Sequence, residues 1–553
     1  FTLSSGKLST QGGDLIFSGS ANVSSGASLD ATVTTGTAGK LEFKQGGTAS
    51  GTIKAESATF KIGADYAVDG DLITNSGTTW ELGTSDLDLS GGELLLGGNV
   101  VLDNIITDNQ TRFKLNGENA TVTRNQGFTL RAVDFTDYTF TLGSATTDVI
   151  FDLRSSSGGG SPKGTLATQN ADFTILGTPE ITTGTIISST GGTFTFADGI
   201  TINGAAISLQ NTKLAVGSSL TKTGGTLTLN QADLELLSDL TLNSDAALAF
   251  TQLKLENNHL DLQSVPSFTV GQKLVLDNAN EKLTWSDNTE LILSGGVQLN
   301  TNGSLDWKKS DNLNIGDITL NGGSLTIGDT SAQTFNLNSA IVLQADSAIK
   351  FKGGSTLNYS GTALAVPKAL TLEGSGKMQN TNSLNLSGAN GKLNLSGISL
   401  ANVETSANNS GLSIENSSTV TDFSVNNLTP VSISSSNNLS GGITVNPGGT
   451  IQLNDVGTLA ADSSLAGGTL KVNESSTVSG MVSISANSTI DVEGAKGCLI
   501  QVEGGPDMTL SHLNLVTEAF VSSLDEDCQV ILGARASDGM VGRLRLVAVV
   551  SGL

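Results

Sequence analysis

Residue types that do chemistry are few in this chain, and their spacing suits no familiar reaction. The two histidines, His259 and His512, stand far apart, and neither sits at a metal-ligand spacing. No P-loop, HExxH or GxSxG string occurs. His259 follows Asn257 and Asn258, which reads as a solvated turn. Arg124 and Arg131 stand near Asp134 and Asp137, the closest approach to a polysaccharide-cleaving group, but surface ion pairs explain them more simply. A polysaccharide-active lyase or glycoside hydrolase is therefore the alternative reading, and no catalytic residue is assigned. The two cysteines, Cys498 and Cys528, follow 497 residues that contain none. Their pairing in a disulfide requires the C-terminal segment to fold differently from the chain before it; two inert buried thiols are the rival expectation.

The elements that hold these residues follow from composition and repeat. The chain has 553 residues, with 67 Gly, only 7 Pro, 14% charged residues and 4% aromatic ones. Ser, Thr, Asn and Gly fill much of the rest, yet 37% of residues are apolar and patterned, enough to offset the entropy of ordering the chain. The net charge of −24 is dispersed and disfavours nucleic acid and anionic membranes as partners. No apolar run is long enough to span a membrane. No cofactor is implied, apart from Ca²⁺, which dispersed carboxylates leave open. The 13 Asn-x-Ser/Thr sequons match what 44 Asn in so Ser/Thr-rich a chain give by chance.

The repeat is clearest in TLTLNQADLELLSDLTLNSDAALAFTQLKLENNHLDLQ (226–263). Apolar pairs begin at Leu227, Leu234, Leu240, Leu248, Leu253 and Leu260, in steps of 7, 6, 8, 5 and 7. Residues two apart on a strand share a face, so each pair points two side chains inward. Three steps together hold near 20: Leu227 to Leu248 is 21, Leu234 to Leu253 is 19, and Leu240 to Leu260 is 20. Farther on, Ile318 to Ile341, Leu325 to Ile349 and Phe335 to Leu357 give 23, 24 and 22. Strands this short, joined by turns too brief for a helix, predict an all-β, right-handed parallel β-helix, a β-solenoid with three strands per rung of about 20–24 residues.

The solenoid is expected over 1–493, with a break or protruding loop at 155–164 (SSSGGGSPKG). Around that loop Phe113, Phe128, Phe135, Phe140, Phe151, Phe173, Phe194 and Phe196 predict an internal ladder of stacked rings, with an aromatic ligand-binding face as the rival reading. Residues 494–553 change character, with both cysteines and three of the seven arginines, and read as a cap, assembly or anchoring segment. Candidate assembly strands lie at the two ends, with Phe1 and Leu3 at one and Leu544, Leu546, Val547 and Val549 at the other, poised for β-addition between neighbours.

LTLNQADLEL (227–236), ITLNGGSLTI (318–327) and LNLSGANGKLNLSG (384–397) give the chain the style of a known group. Over about residues 1–493 it resembles bacterial surface β-helix proteins, the filamentous-haemagglutinin-like adhesins and autotransporter passenger domains. That resemblance implies an extracellular or cell-surface, noncatalytic role as an adhesin stalk or a subunit of a self-assembling filament. Its implied partners are further copies of itself, end to end or side by side, and a surface glycan or host receptor. The near-absence of cysteine fits passage through an oxidising compartment.

Overall fold

The computed structural model describes the chain except residues 11, 35, 102, 109, 124–127, 131, 143–148, 153–163, 169–171, 381–383, 389, 406–410, 416–417, 426–430, 435–441, 455–461, 474–481, 486, 492–495, 522–523, 525–526 and 552–553. The expected loop at 155–164, apart from Gly164, which opens the strand Gly164–Ala167, and the expected boundary at 493/494 fall outside the described residues. The chain forms two compact units, Phe1–Leu274 with Asn280–Ser294, and Val275–Ala279 with Gly295–Leu553.

The first unit is a parallel β-solenoid. Its first three strands, Thr2–Leu3, Gly6–Ser9 and Leu15–Phe17, each pair in parallel with the equivalent strand of the next rung, aligning Thr2 with Asn22, Gly6 with Ala27 and Leu15 with Leu41. One strand per side recurs in most rungs of the unit, so Ile200 meets Leu220, Ile207 meets Leu227 and Phe194 meets Leu214, while Glu93–Val101 and Arg112–Thr123 run on past a corner with a register slip between Leu96 and Gly98. The spacing read from the sequence is the ladder register: Leu234 pairs with Leu253 and Leu240 with Leu260. Along each strand alternate residues turn inward, as in Asp233–Leu236, where Leu234 and Leu236 are buried.

The second unit keeps the parallel ladder but not always three separate strands. Ile318 pairs with Ile341, Leu325 with Ile349 and Phe335 with Leu357. The strands Ser347–Tyr359, Ala369–Asn380 and Lys392–Thr405 instead run past a corner without ending. Register slips between Phe351 and Ser355 and between Glu373 and Gly376 mark the bend. Gly353, Gly354 and Gly374 take φ of +62°, +74° and +110° there, a backbone that other residues adopt only under strain.

Aromatic side chains stack between rungs. Phe113, Phe173, Phe194 and Phe196 of the expected ladder are buried, with the Phe173 and Phe194 rings 5.1 Å apart. The side chains of Phe128, Phe135, Phe140 and Phe151 lie outside what the structure describes. A second column, not foreseen, runs Phe1–Phe17–Phe43–Phe60–Trp80 at centroid spacings of 4.7, 5.3, 6.1 and 5.6 Å, with Tyr66 4.3 Å from Phe43.

Polar side chains also work between rungs. The carboxylates of Asp14, Asp65, Asp172, Asp239, Asp317 and Asp346 accept backbone N–H groups of Lys40, Asp86, Thr193, His259, Ala340 and Ala369 at 2.6–3.0 Å, one rung along in each case. Asparagines form amide ladders: Asn321 donates to Asn300 at 2.8 Å and Asn358 to Asn336 at 3.0 Å. Part of the acidity that reads as dispersed surface charge therefore satisfies corner N–H groups that no strand pairs.

Two predictions follow from this packing. Phe43→Ala empties a fully buried site touched by three other rings and costs about 3–5 kcal/mol. In a repeat array that loss is local. Hydrogen exchange will accelerate in neighbouring strands such as Thr59–Ile62 and stay unchanged in Ile200–Asn203, whereas uniform acceleration would refute local stacking.

Acid is the second probe. Burial alone would raise the Asp108 pKa, but N–H groups of Gln110, Gly91 and Thr111 donate to its carboxylate at 2.9–3.1 Å and hold it below the usual 3.8. Asp30 behaves likewise, burial being outweighed by Lys7 and Thr32. A carboxylate depressed by folding stabilises fully above its unfolded pKa, and the contribution fades as pH falls through the lower folded value. The stability difference between wild type and Asp108→Ala, measured by urea unfolding, will be flat above about pH 5 and shrink below pH 4.

Candidate interaction surface

The C-terminal segment leaves the solenoid rule. β1 (Gly497–Gly504) is followed by α1 (Leu510–Val521), β2 (Gln529–Ala536) and β3 (Leu544–Ser551). β2 lies parallel to β1 on one side and β3 antiparallel on the other, giving the order β2-β1-β3. The segment expected to differ from the solenoid does so through a helix and an antiparallel strand.

Local sequence explains the turn into α1. A Cβ on Gly505 would come within 2.6 Å of the Val541 backbone, so only glycine fits there. Gly505 O accepts the Met508 N–H at 2.9 Å, and Asp507 Oδ2 accepts the Gly542 N–H at 2.8 Å, tying this turn to the loop before β3. Thr509 caps the helix: its Oγ1 accepts the His512 N–H at 3.2 Å, while His512 Nδ1 accepts the Thr509 N–H at 3.4 Å. His512 is thus a capping residue.

Alternation on β1 separates two faces. Cys498, Ile500 and Val502 are buried beneath α1, packed with Met508, Leu513, Val521, Leu546 and Ala548. Ile490, from the solenoid strand Thr489–Asp491, joins the same cluster and seats the module on the last rung. The opposite face has no cover. There Leu499 stands between Ile531 and Val549, with Val547 beside Gln501 in the next row. These four apolar side chains are 49%, 66%, 59% and 44% exposed in the order Leu499, Ile531, Val549, Val547. The row beyond holds the charges, with Glu503 flanked by Arg535 and Arg545, and the row at the other end is Gly497, Gln529 and Ser551. Glu503 Oε1 and Arg535 Nε are 4.0 Å apart, a weak exposed pair. Every residue of β2 is exposed, including Val530 and Leu532 on the α1 side, because the helix covers β1 and β3.

Of the 18 large apolar residues exposed among the described residues, 10 fall after residue 496, in about a tenth of the chain. Such concentration departs from the usual scatter of single exposed apolar residues. The expected assembly strand is here divided between faces: Leu544 and Leu546 turn toward α1, Val547 and Val549 toward the open face. Leu499 and Ile531, the centre of the patch, escape a reading of sequence because CLIQV and VILGA look buried throughout. At the other end Thr2–Leu3 pairs with Ala21–Val23, the Phe1 ring lies 4.7 Å from Phe17, and the terminal amine donates to Ser20 O at 2.7 Å.

Both cysteines are free thiols in this structure. Cys498 is in register with Val530, so Cys528 stands diagonally across the ladder. Cys528 packs against the cluster that contains Cys498. Burial and then the neighbouring Cys528 raise the pKa of the Cys498 thiol.

His259 opens the strand His259–Ser264 rather than lying in a turn. Its Nε2 is 2.8 Å from Thr284 Oγ1, which donates to Asp261 Oδ1 at 2.7 Å. The hydroxyl proton is given to the carboxylate, so the imidazole donates to the threonine and activates no nucleophile. Arg124 and Arg131 lie outside the described residues. Among the described residues no group of three or more His, Cys, Asp or Glu could hold a metal ion, and no helix is long and apolar enough to cross a membrane. A groove of about 320 Å³ beside Gly26, Ser28, Gly51 and Asp71 is lined without aromatic or cationic groups.

Residues 466–553 match the family model for the FtsZ family, C-terminal domain. Over 64 residues the chain is 42% identical to cell division protein FtsZ 2 of Methanocaldococcus jannaschii and 38% identical to cell division protein FtsZ 1 of Archaeoglobus fulgidus. Each match covers 12% of this chain and 17% of the relative, so the chain spans about a sixth of the length of these curated relatives. No solved structure matches the chain.

Reactivity tests the thiol geometry. Native protein titrated with an aromatic disulfide reagent will show two thiols, with the half-exposed Cys528 reacting before buried Cys498, whose raised pKa leaves less thiolate. A count of zero before reduction would refute the free-thiol arrangement.

Proposed function

We propose that the chain is a noncatalytic structural β-solenoid that associates with further copies of itself through its C-terminal module. The observation that carries this reading is the clustering of exposed apolar side chains on that module. The solenoid supplies extent, because each added rung extends the ladder by one strand spacing, about 4.8 Å. Within this class the chain acts as an adhesin stalk or a filament subunit on the cell surface. A solenoid rich in Ser, Thr, Asn and Gly and free of cysteine before residue 498 supports that placement. A surface glycan or receptor is the matching external ligand.

A second reading is favoured by the match at 466–553. The relatives that share this segment are named cell division proteins, and a solenoid carrying such a module would act as a scaffold in division. Protease shaving of intact cells separates the two: surface display predicts rapid loss of the chain, a division scaffold predicts protection.

Electron microscopy of the purified full chain, with assays on acidic and neutral polysaccharides, tests the main proposal. Particles joined through one end, or fibres, are expected, together with no cleavage. Isolated particles at all concentrations would defeat the assembly role, and sugar release would defeat the noncatalytic one.

A further inference from the structure

We propose that two copies of the chain pack the open faces of their C-terminal sheets together, about a two-fold axis lying in the sheet plane and running across the strands. This rests on the self-association reading above and names its surface and geometry.

The order of rows on the face selects that axis. The four apolar side chains lie in the two middle rows, which also hold Gln501 and Gly533, the charged row Glu503, Arg535 and Arg545 lies at one end, and an uncharged row lies at the other. An axis parallel to the strands would stack the charged row on its own copy, setting Glu503 against Glu503 and arginine against arginine. Like charges brought together in a contact are strongly disfavoured. An axis across the strands sets the charged row over the uncharged one and lays the two middle rows on each other, with Leu499 over the aliphatic stem and amide of the second copy's Gln501.

The same operation places Ile531, the most exposed of the four apolar residues on the face, over Gly533 of the second copy. A Cβ at Gly533 would meet nothing nearer than 3.9 Å, so the face has a hollow there that a bulky neighbour fills. Val549 falls over the second copy's Val547. A large residue against a gap, repeated twice by symmetry, is what an isologous contact requires. The packing also differs from β-addition at the edge, since Leu499 lies on the central strand, out of reach of edge pairing.

Size sets the strength. Three strands of eight residues present about 27 by 14 Å, or roughly 800 Å² for the two faces together, below the roughly 1,200 Å² at which stable standard interfaces begin. The dimer will be reversible and concentration-dependent.

Sedimentation velocity of the full chain over a wide concentration range provides the test. Wild type is expected to show a reversible monomer–dimer equilibrium. Leu499→Lys should weaken it by roughly tenfold or more, as loss of a central contact does. Gly533→Val should weaken it as well, although it makes the face more apolar, because it blocks Ile531 of the other copy. Leu510→Ser, an exposed helix position off the face, should leave it unchanged. Both face positions are exposed, and unchanged circular dichroism will confirm that the variants fold. A dimer indifferent to Leu499→Lys, or tightened by Gly533→Val, overturns this geometry while leaving self-association standing. A wild-type chain that stays monomeric throughout overturns both.

Discussion

Everything in the solenoid depends on one constraint: a rung cannot bury its own apolar face, so each side must lie in parallel register with the same side of the next. The inward residues then stack on like residues, Leu240 on Leu260 and Phe173 on Phe194, and hydrophobic burial runs along the ladder instead of toward a single centre. Corners are where that rule strains, because the chain turns and its N–H groups lose their ladder partners. Asp and Asn side chains reaching one rung along meet that need, as in Asp239 to His259 and Asn75 to Ser57. The composition is thus a consequence of the stacking: β-branched and Leu residues on the sides, and short polar side chains with left-handed glycines where the chain turns.

A ladder of this kind has no internal reason to stop, and the C-terminal module is how it ends. Ile490 of the last solenoid strand packs into the module's core beneath α1. The module brings an antiparallel strand, which the solenoid register cannot continue, and thereby closes the stack. Closure is bought with a new exposed face. One helix of 12 residues covers β1 and β3 but neither β2 nor the far side of the sheet. A segment that protects one apolar surface and leaves another open is suited to joining.

Much of this was legible in the sequence, for a physical reason. Inward pairs two residues apart, recurring near 20 and later near 23, are the direct imprint of register, so Leu234 with Leu253 and Ile318 with Ile341 could be paired by counting. The merged strands around Gly353 and Gly374 could not, because a glycine bulge and a glycine turn leave the same local trace. The Phe17–Phe43–Phe60 column was hidden by spacings of 26 and 17, which break the apparent period although the rings still stack. The acids looked like dispersed surface charge because an Asp that caps a neighbouring rung is indistinguishable in sequence from one that only faces water. His259 read as a turn residue for the same reason: its partners, Thr284 and Asp261, meet it only through the ladder.

The surface proposed for assembly was the hardest to see. CLIQVEG and QVILGARA read as core strands, and their alternation becomes informative only when one knows that a helix covers one side and nothing covers the other. Once the faces are separated, the order of residues along them has meaning of its own. Charges gathered in a single end row, with Gly533 beside Ile531, would be an arbitrary arrangement on a surface meant only to face water. On a surface that meets its own copy, the same arrangement chooses one symmetry axis over the other, because only one keeps the charged rows apart while the rows that carry the apolar side chains close. A solenoid converts repetition into extent, but it can specify nothing at its end beyond another rung. The departure from repetition is therefore where specificity can be written, and here it is written in three strands, on the side that the helix leaves open.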